Sequence, residues 1–200
     1  MRRSLALALL AAVALSTVGA PSPASPQLSG HVYLVPLGPG VPVPLRELAD
    51  HYRQTYKLNV IVLPELALGD PRVQDATRFQ LIADELLGYM VRKNPKPSSE
   101  PGAAVIGVTA QDMYIRGLTW DWAFGYREGD RFAVVSTARM DPTWFADPAN
   151  PALLRTRLRK AVTRMIGFQH YGYRESTNRG SVLFGPVLGI DDLDRLAEDF

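Results

Sequence analysis

Near the C-terminal end of the chain, Lys160, Arg164 and His170 stand at a spacing that chemistry can use. Lys160 and Arg164 are four apart, one turn of a helix, so their side chains share a face. Gly167 follows three residues after Arg164, and His170 three after that. Two helical donors at i and i+4, with a third beyond a glycine, is the spacing at which three histidines grip zinc. A glutamate directly after the first then serves as general base. Here only Gly167 and His170 fit, because Lys160, Ala161 and Arg164 hold the other positions. Lysine and arginine are protonated near neutral pH and offer no lone pair. Each also sets a positive charge where a dication would sit. Ala161 brings no carboxylate to activate a water. No catalytic residue and no metal set is therefore assigned, and His170 stands only as a remnant ligand or a hydrogen-bonded histidine on a cleft wall.

The chemistry left to these residues is anion binding. Arg157 joins Lys160 and Arg164 on one side of the helix, and arginine offers a carboxylate or phosphate a fork of donors. The competing reading is an internal ion pair to Glu175, Asp191 or Asp192. Tyr171 and Tyr173 flank His170 and are candidates to line a groove. The run Asp191-Asp192-x-Asp194 lacks the glycine and distal glutamate of a calcium loop and reads as helix capping.

A helix must position this set. Leu154, Leu158, Ala161, Val162, Met165 and Ile166 recur at helical spacing, which predicts a helix over Leu154–Ile166 stopped by Gly167. Upstream, His31–Pro36 and Asn59–Pro64 read as strands, with a helix over Leu45–Tyr56 between them. A long helix is expected over Ala76–Val91 with Phe79 inward. A surface loop over Lys93–Gly102 and a third strand over Ala103–Thr109 follow. This alternation points to a sheet with parallel members. Trp120–Tyr126 and Arg131–Thr137 read as a hairpin around Glu128-Gly129-Asp130. Trp120, Trp122, Phe124 and Tyr126 alternate along its first strand as core and surface cover. A capped amphipathic helix is expected over Asp191–Phe200.

The chain as a whole narrows the choices. Two hundred residues with 46% hydrophobic content suffice for one domain with its own core. Arg2 and Arg3, the apolar run Leu5–Leu15 and the small residues ending at Ala20 read as a secretory signal peptide over residues 1–20. A retained anchor is the weaker reading, because eleven apolar residues are short for a bilayer. Export to the periplasm or the medium follows, with a flexible Pro/Ser lead over 21–30. The segment carries two of the 22 basic residues and none of the 20 acids, so the rest is balanced. Neither nucleic acid nor a membrane surface is expected as a partner. With no cysteine, thiolate zinc sites, cysteine lipidation and a cysteine nucleophile are excluded.

Five segments, in order, resemble the archaemetzincin-like metallopeptidases, a metzincin branch: VYLVPLG, the strand ending in LP, VIGVTAQDMY, RFAVVSTARM and SVLFGPVLGIDDLDR. The resemblance implies an α/β zincin-like single domain over residues 31–200, with a mixed, mostly parallel sheet, an active-site-type helix and a C-terminal helix. It also implies that Arg131–Met140 is the edge-strand segment, and the Leu154–Ile166 helix is expected to lie under a groove bordered by the strand Arg131–Thr137. In the family, positions 160, 164 and 170 would be zinc-binding histidines and position 161 the general base. Position 183 would be the turn methionine. Here they are Lys160, Arg164, His170, Ala161 and Leu183, and the four cysteines of the family's second zinc are absent. The expectation is a secreted, non-catalytic pseudopeptidase that binds a peptide or protein in the old groove and carries no cofactor. A divergent zinc-dependent metallopeptidase and an anion-binding module are the alternatives.

Overall fold

Val32–Leu37 is buried along nearly its whole length, as a parallel strand covered on both faces must be. The computed structural model describes residues 30–200. The signal peptide expected at 1–20 and all but the last residue of the lead expected at 21–30 lie outside the described residues. Gly30, the last residue of that lead, sits so close to Gly102 that a Cβ on it would run into that residue's backbone. The lead thus ends in a packed position.

In chain order the elements are β1 (Val32–Leu37), α1 (Leu45–Tyr56), β2 (Val60–Val62), β3 (Gln74–Asp75), β4 (Gln80–Ile82), α2 (Ala83–Lys93), α3 (Pro95–Ser99), β5 (Ala104–Thr109), β6 (Met113–Tyr114), β7 (Gly125–Glu128), β8 (Phe132–Ser136), α4 (Pro151–Gln169) and α5 (Ile190–Arg195). The main sheet runs β2-β1-β5-β8-β7. All its pairings are parallel except β7 on β8, so the sheet is mixed and mostly parallel, as expected. A second, three-stranded sheet joins β3, β4 and β6.

Side-chain alternation along the strands builds two apolar layers. Val32, Leu34, Ile106, Val108 and Val135 face α1 and α4. Val35, Leu37, Val105 and Val134 face α2 on the other side. No helix among the described residues is long and apolar enough to cross a membrane.

Four expectations need correction. First, the helix expected from Ala76 begins only at Ala83, because residues 80–82 pair as β4. Local side-chain bonding wins there: the Asp75 carboxylate accepts the backbone N–H groups of Thr77 at 3.0 Å and Arg78 at 3.2 Å. That turn leaves Phe79 at φ 55° and 91% exposed, not inward. Second, the loop expected over Lys93–Gly102 contains α3, started by Pro95 at its first position. Third, the hairpin's first strand starts at Gly125, so Trp120, Trp122 and Phe124 lie in the loop before it, and β7 rather than β8 forms the sheet edge. Fourth, the C-terminal helix is the short α5, which stops at Arg195 and has no side-chain cap. The Asp192 carboxylate accepts the backbone N–H of Leu188 instead.

Candidate functional site: a groove over the long helix

Asn150 opens α4, its side chain accepting the N–H of Leu153 at 3.0 Å, and Pro151 takes the first helical position. The helix then runs 19 residues, through Gly167, rather than stopping there. Gly167 answers a different need. A Cβ at this position would lie 2.6 Å from Leu183 Cδ2 and 2.7 Å from Phe200 Cε1, so the glycine lets the C-terminal segment lie directly on the helix.

Ala161, Arg164, Met165 and Phe168 form the floor of an open groove of about 510 Å³. Their spacing of three, one and three places them on one face of α4. Residues 119–125 and Arg127 make one wall, Pro186–Leu188 and Leu193 the other, and Glu175 closes part of the rim. The border strand is thus β7, not the expected Arg131–Thr137. Gly125 permits the close approach, since a Cβ there would meet Met165 Cε at 2.7 Å.

The first wall is pinned from behind. Ala123 N–H donates to the Met113 carbonyl at 2.8 Å, and Ser136 N–H donates to the Phe124 carbonyl at 2.9 Å. Gln80 Nε2 donates to the Asp121 carbonyl and to Asp112 Oδ2, each at 2.8 Å. Asp112, 7% exposed, also takes a bidentate grip from Arg139, whose guanidinium lies 5.0 Å from the Trp122 ring. Trp122 meets Phe124 edge-on with ring centres 4.7 Å apart. These aromatics were expected as core and surface cover, yet Trp120, Trp122 and Phe124 line the groove. Their alternation is visible in the sequence; only the assignment to a strand hid their role.

The residues singled out from sequence scatter. Arg164 lines the groove, but its donors are held by this chain. They reach Glu175 Oε1 at 2.9 Å, the Val182 carbonyl at 3.3 Å and the Phe184 carbonyl. Burial pulls its pKa down while the Glu175 charge opposes the fall. Arg157 makes a bidentate pair with Asp194, both bonds at 2.7 Å, and donates to the Met140 carbonyl. Lys160 Nζ donates to the Asp194 carbonyl at 2.6 Å and that of Leu193 at 3.4 Å, and burial lowers its pKa. Neither Arg157 nor Lys160 lines the groove. The partner expected for Arg164 among Glu175, Asp191 and Asp192 is Glu175, and the acid on Arg157 is Asp194.

His170 and Tyr171 are also elsewhere. Because α4 continues through Gly167, His170 stays on the helical path, about 200° round from Phe168. It is 3% exposed, its Nδ1 has no hydrogen-bond partner, and burial lowers its pKa. It is therefore neither on the cleft wall nor hydrogen-bonded through that nitrogen. Tyr171 stacks on Tyr173 at 5.2 Å, and Phe200 meets both edge-on at 5.4 Å, away from the groove. His31 bonds Glu100 at 2.6 Å, and His51 lies 3.6 Å from Asp199, also outside the groove.

This donor set does not fit a zinc ion. Among the described residues no three His, Asp or Glu side chains converge. Arg164 offers protonated donors at the groove floor, and the one histidine near it in sequence faces the other way.

No family model matches the chain. It is 27% identical over 161 residues to an archaemetzincin of Haloquadratum walsbyi, across 78% of this chain and 88% of that one. Its fold is similar to the crystal structure of an archaemetzincin from Archaeoglobus fulgidus in complex with malonate. There the TM-score is 0.65 and the identity 25%, over 86% of this chain and 95% of that one. For the archaemetzincin of Methanopyrus kandleri the values are 0.63 and 26%, over 85% and 89%. A zinc-dependent peptidase from Methanocorpusculum labreanum shares the fold at a TM-score of 0.69 and 22% identity, over 84% and 95%. By segment order, relatives and fold together, the chain is similar to the archaemetzincin-like metallopeptidases and shares their fold.

Proposed function

We propose that this protein is an exported, non-catalytic member of its family that holds a peptide or protein segment in the groove over α4. The observation that carries this reading is Arg164. Its guanidinium occupies the groove floor at a position where the family frame places a zinc-binding histidine, and Glu175 and two backbone carbonyls hold it there. Ala161, at the general-base position, also lines the groove and brings only a methyl group. What remains is a cleft with one aromatic and one aliphatic wall and a few charged groups, the make-up of a ligand-binding site. Export rests on the sequence of residues 1–20 alone.

The deciding experiment pairs metal analysis of the purified protein with two peptide assays, one for cleavage and one for selection from a displayed library. The expected result is selection of binding peptides, less than a tenth of a zinc per chain, and no cleavage. Stoichiometric zinc with cleavage would overturn it and favour a second reading, a divergent zinc-dependent metallopeptidase. That alternative draws its support from the relative named as a zinc-dependent peptidase.

A further inference from the structure

Phe168 lies on the groove floor between two guanidiniums. Arg164 Cζ is 4.8 Å from the ring centre and Arg127 Cζ is 4.6 Å from it. Two like charges sharing one ring repel each other, and both carry the cost of that proximity. Arg164 has Glu175 as counter-charge. Arg127 has none: among the described residues no carboxylate lies within ion-pair distance of it, and none of its donors is used. The remaining charge on the groove lining is Asp121, which lies 3.6 Å from Arg78. The lining holds two acids and two bases, but with Glu175 on Arg164 and Asp121 beside Arg78 the cation left without a counter-charge there is Arg127.

The surroundings of that charge are apolar. Phe124, Met165, Phe168, Val187 and Leu188 line the same space. Arg127 is also held rather than loose. It belongs to β7, paired with Ala133 of β8, and its guanidinium rests on the Phe168 ring. A planar fork of donors fixed beside an apolar cleft suits a carboxylate better than a single point charge would.

We propose that the groove recognises a peptide whose carboxylate directly follows a large apolar side chain, the carboxylate taken by Arg127 and the side chain by the Phe124–Phe168 cleft. This rests on the peptide-binding reading above and names its ligand class. The carboxylate supplies the missing charge and relieves the Arg127–Arg164 repulsion. The apolar side chain buries against Met165, Phe168 and Leu188. The aromatic wall adds no ionic term of its own, so selectivity between an acid and its amide falls to Arg127.

The test uses two acetylated tetrapeptides, Ala-Ala-Leu-Phe as the free acid and as the C-terminal amide. Each is titrated into the protein and into an Arg127→Gln variant, following intrinsic tryptophan fluorescence and amide resonances of the groove. The free acid is expected to bind about tenfold tighter than the amide, the scale of one charge-assisted pair at a partly exposed site. In Arg127→Gln that ratio is expected to fall to about one, with cooperative unfolding and the amide resonances outside the groove retained. Raising the salt concentration is expected to weaken the acid only. Equal binding of acid and amide to the unaltered protein would overturn the carboxylate preference and leave a peptide-binding groove standing. Binding of neither would overturn it as well, while the library selection decides the broader reading separately.

Discussion

The Arg164 guanidinium bonds Glu175 Oε1 at 2.9 Å at the helical position where the family frame would place a zinc ligand. The same guanidinium also ties the carbonyls of Val182 and Phe184 to α4. One turn earlier Lys160 ties the carbonyls of Leu193 and Asp194, and Arg157 ties Asp194 itself. Three cations along the helix thus fasten the C-terminal segment across it. A metal in a zincin cleft fastens helix to loop through ligands; here charge-assisted hydrogen bonds do the fastening.

From this follows an expected loss of stability in Arg164→Met. The change leaves two carbonyls and a carboxylate without their donors in a partly buried place. The Glu175 side chain is 54% exposed, so water recovers much of its part. An expected cost of about 2–3 kcal/mol remains, mostly from the carbonyls. Glu175→Gln should cost under about 1 kcal/mol, because Arg164 keeps its backbone partners. Urea denaturation of the two variants checks the order. A larger loss in Glu175→Gln would show that the ion pair, not the carbonyl latch, holds the segment.

Restoring the zinc motif by Lys160→His, Ala161→Glu and Arg164→His is expected to fail. Position 164 lies on the groove floor, position 160 does not line the groove, and His170 remains about 200° round from Phe168. A catalytic zinc site needs three converging ligands. Zinc titration of the triple variant should show no site tighter than about micromolar, the scale left to an incomplete ligand set. One tight zinc per chain, lost on adding His170→Ala, would show that the end of α4 unwinds to bring His170 over.

The parts of this architecture set by hydrophobic period were legible from the chain. Leu45–Tyr56 appears with the bounds its periodicity predicts, β2 and β5 fall within the expected apolar runs, and β1 is shifted by one residue from its run. Where one side chain or one neighbour decides, the pattern was silent. Asp75 turned residues 76–79 away from helix by capping local N–H groups. Gly167 looked like a helix stop because glycine often is one, but Leu183 and Phe200 needed its missing Cβ. That one misreading of Gly167 also moved His170 onto the wrong face. An unpaired arginine such as Arg127 has no signature in the sequence, because only its neighbours in the fold show that it lacks a counter-charge.

Phe79→Gly is expected to raise stability by about 0.5–1 kcal/mol. Phe79 sits at φ 55°, where a side chain with a Cβ is strained and glycine is not. At 91% exposure its ring contributes little packing to lose. Equilibrium unfolding gives the sign directly. A destabilised variant would mean that the ring packs against something in solution.

Export by the segment at residues 1–20 predicts a mature chain beginning at Pro21. Sequencing the N-terminus of protein recovered outside the cytoplasm checks it, and a chain retaining Met1 would count against the reading.

Stability is expected to fall with acid through His170. Burial lowers its folded-state pKa below the ordinary 6.5, and its Nδ1 has no partner to favour the charged form. In the unfolded chain the imidazole takes a proton at its ordinary pKa. Between that value and the lower folded one, the unfolded state binds more protons, so stability rises with pH across the window. Above about pH 8 both states are neutral and the contribution vanishes; on acidification the loss grows until the folded pKa is reached. His170→Asn, which does not titrate, should flatten the slope below about pH 6.5 while leaving that above about pH 8 unchanged. An unaltered slope in the variant would place the acid sensitivity on another group and show that His170 is solvated in the folded protein.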